Sequence, residues 1–70
     1  MNLDIEVVAR NIKRYRKEKK YTQKELAAMI GKAHITVRKY ETACIMPSAY
    51  SITIIAKVLG VSMSDIAKDK

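Results

Sequence analysis

The sequence predicts an all-α domain of five short helices. Three observations lead there. Apolar residues recur at intervals of three and four along most of the chain, the period of a helix face. Two segments open with a capping box, Thr22-x-x-Glu25 and Ser62-x-x-Asp65, in which hydroxyl and carboxylate satisfy each other's backbone N–H groups. The stretch TQKELAAMIGKAHITVRKY then sets Ala27, Gly31 and Val37 four, eight and fourteen residues beyond Gln23, a spacing that lets two short helices cross closely.

The first helix is expected over about residues 4–18, with Ile5, Val8, Ile12 and Tyr15 on its apolar face and Asn2 or Asp4 as its cap. Lys19 and Lys20 end it. The second starts at Thr22, where Tyr21 can staple onto Leu26, and it carries Leu26 and Ile30 inward before Gly31 stops it. The third runs from about Ala33 to Glu41 and lacks a capping side chain, a deficit of about 1 kcal/mol. Ser48, after Pro47, caps the fourth, whose inward face is Ile52, Ile55, Ala56 and Leu59 and whose stop is Gly60. Ser62 caps the fifth, with Val61 placed to staple onto Ile66. The tail Lys68-Asp69-Lys70 is expected to fray.

The crossing of the second and third helices has three requirements. A helix–turn–helix joins two helices at roughly 90–120° through a turn of about 3–4 residues. Ala27 supplies the small side chain under the crossing, Gly31 a residue that accepts positive φ, and Val37 the apolar residue buried beneath. Periodicity alone does not separate this layout from another five-helix bundle.

Length and composition narrow the rest. Seventy residues make one domain, 1–70, with its helix–turn–helix core at about 22–41. A chain this short buries only about 60% of its unfolded surface and leans on packing or a partner subunit. A single cysteine, Cys44, excludes an internal disulfide, and with one histidine, His34, it argues against a structural zinc site. The lone thiol suits a reducing, cytoplasmic setting. The opening MNLDIEVVAR has no signal-peptide pattern, and no apolar run is long enough for a membrane span. Arg10, Lys13, Arg14, Arg16, Lys17, Lys19, Lys20 and Lys24 stand against Glu18 alone, so one short stretch carries the whole net charge of +7. A focused positive field attracts a polyanion.

Arg16, the run Thr22-Gln23-x-Glu25-Leu26-Ala27, then Gly31, Val37, Glu41, Pro47-Ser48 and Leu59-Gly60-Val61-Ser62 together resemble the Cro/phage-repressor (XRE-like) helix-turn-helix regulators. The resemblance covers roughly residues 5–67 and implies the compact five-helix, lambda-repressor-like fold. It implies a sequence-specific double-stranded DNA-binding transcriptional regulator, a repressor or Cro-like switch protein, whose third helix enters the major groove. The base-contacting residues so implied are Ala33, His34, Ile35 and Lys39, with Arg38 at the margin. Lys39 can donate to guanine, His34 can do so in the right tautomer or charge state, and Ile35 can cover a thymine methyl. The phosphate-contacting set is Thr22 and Gln23 at a helix N-terminus, Lys32 in the turn, Thr42 after the third helix, and Arg16. Gln23 is also expected to pack toward the third helix, and Arg16 to pair with Glu41.

The chain departs from the family at several places. Lysine stands at position 20 and alanine at position 43 where glycine is usual, and Ala33 takes the place of a capping Ser or Thr. The loop Cys44-Ile45-Met46 is apolar where basic residues are common. Tyr50, Ile54 and Val58 form a second apolar row on the fourth helix, off its inward face. With Ile45, Met46 or Met63 the row suits a homodimer interface that would place two reading helices on an inverted-repeat operator. The other reading is a wider core contact, with Met1 and Leu3 folding back.

No serine–histidine–acid arrangement, phosphate-cradling glycine loop or metal cluster is present in the sequence, so an enzyme is not expected, nor a cofactor or small-molecule ligand. The rival function is a protein-binding antagonist or antitoxin module that keeps the fold without strong DNA binding. A membrane-surface role for the basic first helix conflicts with the use of its apolar face in the core. Steep salt dependence of duplex binding separates the DNA reading from these rivals.

Overall fold

The computed structural model describes residues 4–69. Five helices follow in order: α1 Ile5–Glu18, α2 Gln23–Ile30, α3 His34–Glu41, α4 Ala49–Leu59 and α5 Met63–Ala67. No strand occurs among the described residues. Asp4 caps α1 by accepting from the N–H groups of Glu6 and Val7. Asn2, the other candidate cap, lies outside the described residues, as do Met1 and Leu3. Thr22 and Ser62 close the two expected capping boxes on α2 and α5, and Ser48 accepts from Ser51 N to cap α4.

α1 is the spine. It packs against α3, α4 and α5, while α2 packs on α3 and α4, and α4 on α5. Val8, Ile12, Leu26, Val37, Ile52, Ile55, Leu59 and Ile66 are essentially sealed from solvent between these helices. Each such side chain stabilises the fold by roughly 1.5–3 kcal/mol. The α1 face is wider than its expected stripe: Val7 and Ala9 are also buried, while Ile5 and Tyr15 are half-exposed. The reason is that α1 meets neighbours on several sides at once. Arg14 lays its guanidinium 4.6 Å from the Tyr15 ring centroid, and its buried Nε has no hydrogen-bond partner.

The last described residues contact α1. Asn11, buried on α1, donates through Nδ2 to the carbonyls of Ile66 and Lys68, both at 2.8 Å. Arg10 adds an exposed ion pair to Asp69 at 2.9 Å. Lys68 and Asp69, in the tail expected to fray, carry these contacts; Lys70 lies outside the described residues.

Both departures from glycine carry the conformation glycine would have taken. Lys20 has φ 62° and Ala43 has φ 60°. A side chain in this left-handed region costs roughly 1–2 kcal/mol.

Candidate nucleic-acid interface

The elbow between α2 and α3 aims α3. Gly31 has φ 71° and ψ 33°. Its N–H donates to Ala28 O at 3.3 Å, and that of Lys32 to Ala27 O at 2.9 Å, so the turn closes on the last carbonyls of α2. A Cβ added at Gly31 meets nothing within 4 Å, so the glycine is there for its dihedral and not for room. Ala27 and Val37 are both buried where the helices cross.

That crossing turns one face of α3 outward. Val37 and Tyr40 point into the core, whereas His34, Ile35, Arg38 and Lys39 are exposed, spaced as two i,i+4 pairs on one stripe. Ala33, the N-cap residue, is exposed beside them and makes no side-chain cap bond. Ile35 is 49% exposed and stands outside the core. The structure thus brings all five expected reading residues to one surface.

Behind this face lies a polar chain. Arg16 donates from Nε to Glu41 Oε2 at 2.6 Å and from Nη2 to Glu41 Oε1 at 2.9 Å. Its Nη1 donates to Tyr21 O at 2.7 Å. Gln23 Nε2 donates to Glu41 Oε1 at 3.0 Å, and Gln23 Oε1 lies 3.3 Å from His34 Nε2. The ion pair was legible by resemblance; the two links through Gln23 were not. They join residues eleven and eighteen positions apart, and only the expectation that Gln23 packs toward the third helix hinted at them.

Most of the expected phosphate contacts remain free to act as donors. Thr22 uses a hydroxyl lone pair to accept from Glu25 N, which leaves its hydrogen available. Gln23 keeps its second amide hydrogen, and Lys32 is exposed in the turn. Thr42 is exposed after α3, with its hydroxyl turned to Arg38 O at 2.9 Å, a bond that a phosphate oxygen must replace. Arg16 is different. It is 8% exposed and donates from all three nitrogens, to Glu41 and to Tyr21 O, the geometry of a strut between α1 and α3.

The second apolar row of α4 is graded rather than uniform. Tyr50 is 75% exposed, while Ile54 and Val58 are half-buried and packed against the core. Tyr50 and Ile54 border a shallow cleft of about 280 Å3 with Ile30, Gly31 and Lys32. Ile45 and Met63 are also well exposed. No helix among the described residues is long and apolar enough to cross a membrane.

A helix-turn-helix family model (HTH_3) matches residues 12–66. The chain belongs to the Cro/C1-type helix-turn-helix family of DNA-binding transcription regulators. Solved structures agree with that assignment. A hypothetical transcription factor, NHTF, from Neisseria is 25% identical, with TM-score 0.87 over 97% of this chain and 84% of its own. The biofilm master regulator SinR, solved in complex with DNA, is 32% identical, with TM-score 0.82 over 87% of this chain and 98% of its own. The same fold occurs inside hydroxypropylphosphonic acid epoxidase from S. wedmorenis, at 23% identity and TM-score 0.86, where this chain spans only 36% of the enzyme. That last likeness concerns the fold alone. No curated protein matches the chain significantly.

Proposed function

We propose that this family member is a sequence-specific regulator, a repressor or Cro-like switch protein, that reads the major groove of double-stranded DNA with α3. The single observation that carries the reading is the exposed stripe of α3, where His34, Ile35, Arg38 and Lys39 stand clear of a core that holds Val37 and Tyr40. Two basic side chains and an imidazole offer hydrogen bonds to base edges, and Ile35 offers an apolar contact for a thymine methyl. Ala33 lies close enough in sequence to line the same contact.

Thr22, Gln23, Lys32 and Thr42 anchor the backbone on either side, and they fix register without carrying sequence information. Of the basic stretch that precedes them, Arg16 and Arg10 have carboxylate partners, and Lys13, Lys17, Lys20 and Lys24 are exposed to add long-range attraction. The partner in assembly is a second copy of the chain, met through Tyr50 with Ile54 and Val58 at the edge of the contact. Two reading helices then lie one helical turn apart, about 34–36 Å, on an inverted repeat. The reading needs no cofactor, small-molecule ligand or catalytic step, and it places the protein in the cytoplasm on its DNA.

Selection of bound sequences from a random duplex pool tests this. A palindromic consensus supports sequence reading and dimerisation together, and a one-sided consensus removes the dimer. The exposed Ile35 and Ile45 favour a second reading, a protein-binding antagonist or antitoxin. In that case no consensus emerges, and duplex affinity lacks the steep fall with salt that phosphate contacts impose.

A further inference from the structure

The polar chain behind α3 dictates which atom of His34 is free to read a base. The two Glu41 oxygens accept from Arg16, and the Glu41 side chain is sealed from solvent. A carboxylate held in this way has only acceptor atoms to offer. The Gln23 atom 3.0 Å from Glu41 Oε1 is therefore the amide nitrogen. With the nitrogen fixed inward, the amide oxygen faces His34 Nε2 at 3.3 Å. An amide oxygen can only accept, so a hydrogen bond between them requires hydrogen on Nε2. Among the described residues the other ring nitrogen, Nδ1, has no partner, and His34 is exposed at the start of the reading helix.

We propose that the Arg16–Glu41 pair, acting through Gln23, holds His34 as the Nε2–H tautomer and makes Nδ1 its reading atom, so that the neutral ring selects an exocyclic amine, adenine N6 or cytosine N4. The inference rests on the DNA-reading function proposed above. It decides a point the sequence left open. Donation from His34 to guanine requires hydrogen on the reading atom, and in the locked neutral ring that atom is an acceptor. Only a ring bearing hydrogen on both nitrogens donates from Nδ1. The major groove offers an acceptor the amines of adenine and cytosine, so the residue separates A and C from G and T at one position. Gln23 then serves two ends: one amide hydrogen goes to Glu41, and the second stays free for a backbone phosphate. His34 is the specificity residue, and Gln23 and Glu41 are positioning residues.

The test uses the full chain. Nitrogen-15 long-range correlation spectra of the free protein, at a pH where the shifts show a neutral ring, read the tautomer directly. The expected result is hydrogen on Nε2 and a bare Nδ1, with Gln23→Ala moving both shifts toward a tautomer mixture. Duplex selection at the same pH, on the wild type, Gln23→Ala and His34→Ala, reads the consequence. The wild type prefers A or C at one position per half-site by about tenfold, the scale of a single base-edge hydrogen bond. Both variants lose that preference while the other positions keep theirs. Loss of a phosphate contact alone lowers every sequence together and leaves the preference standing. An Nδ1–H tautomer, a Gln23→Ala spectrum identical to the wild type, or a guanine preference at that position overturns the proposal. A consensus with an unlocked ring overturns only the relay, whereas a locked ring with no consensus overturns the DNA reading and the reading role with it.

Discussion

α2 and α3 are each eight residues long and begin in opposite ways. α2 opens with a closed box: Thr22 N donates to Glu25 Oε1 at 2.8 Å and Glu25 N to Thr22 Oγ1 at 3.0 Å. α3 opens on Ala33, which has no side-chain acceptor to give, and its first turn tightens instead, with Thr36 N donating to Ala33 O at 3.0 Å. Its one polar side-chain tie at this end is His34 to Gln23, a residue of α2. At the far end Glu41 ties it to α1 and again to Gln23. The anchor helix is locally self-sufficient. α3 takes its order from its neighbours, and on its outer stripe only His34 shares in those ties, while Ile35, Arg38 and Lys39 make none through their side chains.

The largest test of that contrast is Glu41→Ala. It strips Arg16 of its carboxylate and leaves a buried cation, so the fold should lose about 3–5 kcal/mol in chemical denaturation. A loss under 1 kcal/mol would show that α3 does not depend on this tie. Next comes the split between reading and anchoring. Lys39→Ala should relax preference at one base pair by about 1–3 kcal/mol, whereas Lys32→Ala should weaken all duplexes uniformly and lower the salt slope by about 1. Competition titrations at several salt concentrations separate the two; equal behaviour breaks the division of labour.

The caps supply a smaller, direct comparison. Thr22→Ala should destabilise by about 1 kcal/mol, and Ala33→Ser should stabilise by a similar amount, because one removes and the other supplies a first-turn acceptor. Thermal melts of both variants check the pair of signs. The smallest effect lies outside both helices. Lys20→Gly and Ala43→Gly should each stabilise by roughly 0.5–1 kcal/mol, the relief of a left-handed side chain less the added freedom of glycine when unfolded. Urea midpoints suffice to measure it.

These local features were readable because their causes are local. A capping box spans four residues, an apolar face repeats every three or four, and a left-handed turn announces itself by glycine; Lys20 and Ala43 stood out only against the family's usual glycine. The buried faces of α2 and α4 followed directly. Contacts across the fold were not readable in the same way. Nothing near Asn11 signals that its amide will hold the carbonyls of Ile66 and Lys68, and nothing near Gln23 says that it will stand between Glu41 and His34. The Arg16–Glu41 pair was available only through family resemblance. The α4 row shows a third kind of limit: spacing placed Tyr50, Ile54 and Val58 together, but the neighbouring helices cover the last two in part and leave the first out.

The empty space around the missing Cβ of Gly31 has its own consequence. An alanine or serine there fits sterically and is opposed only by the sign of one torsion angle. Durability of this bend over generations of mutation is therefore guarded by the chirality of L-amino acids, and a tighter or looser fit between the two rods would leave that guard unchanged.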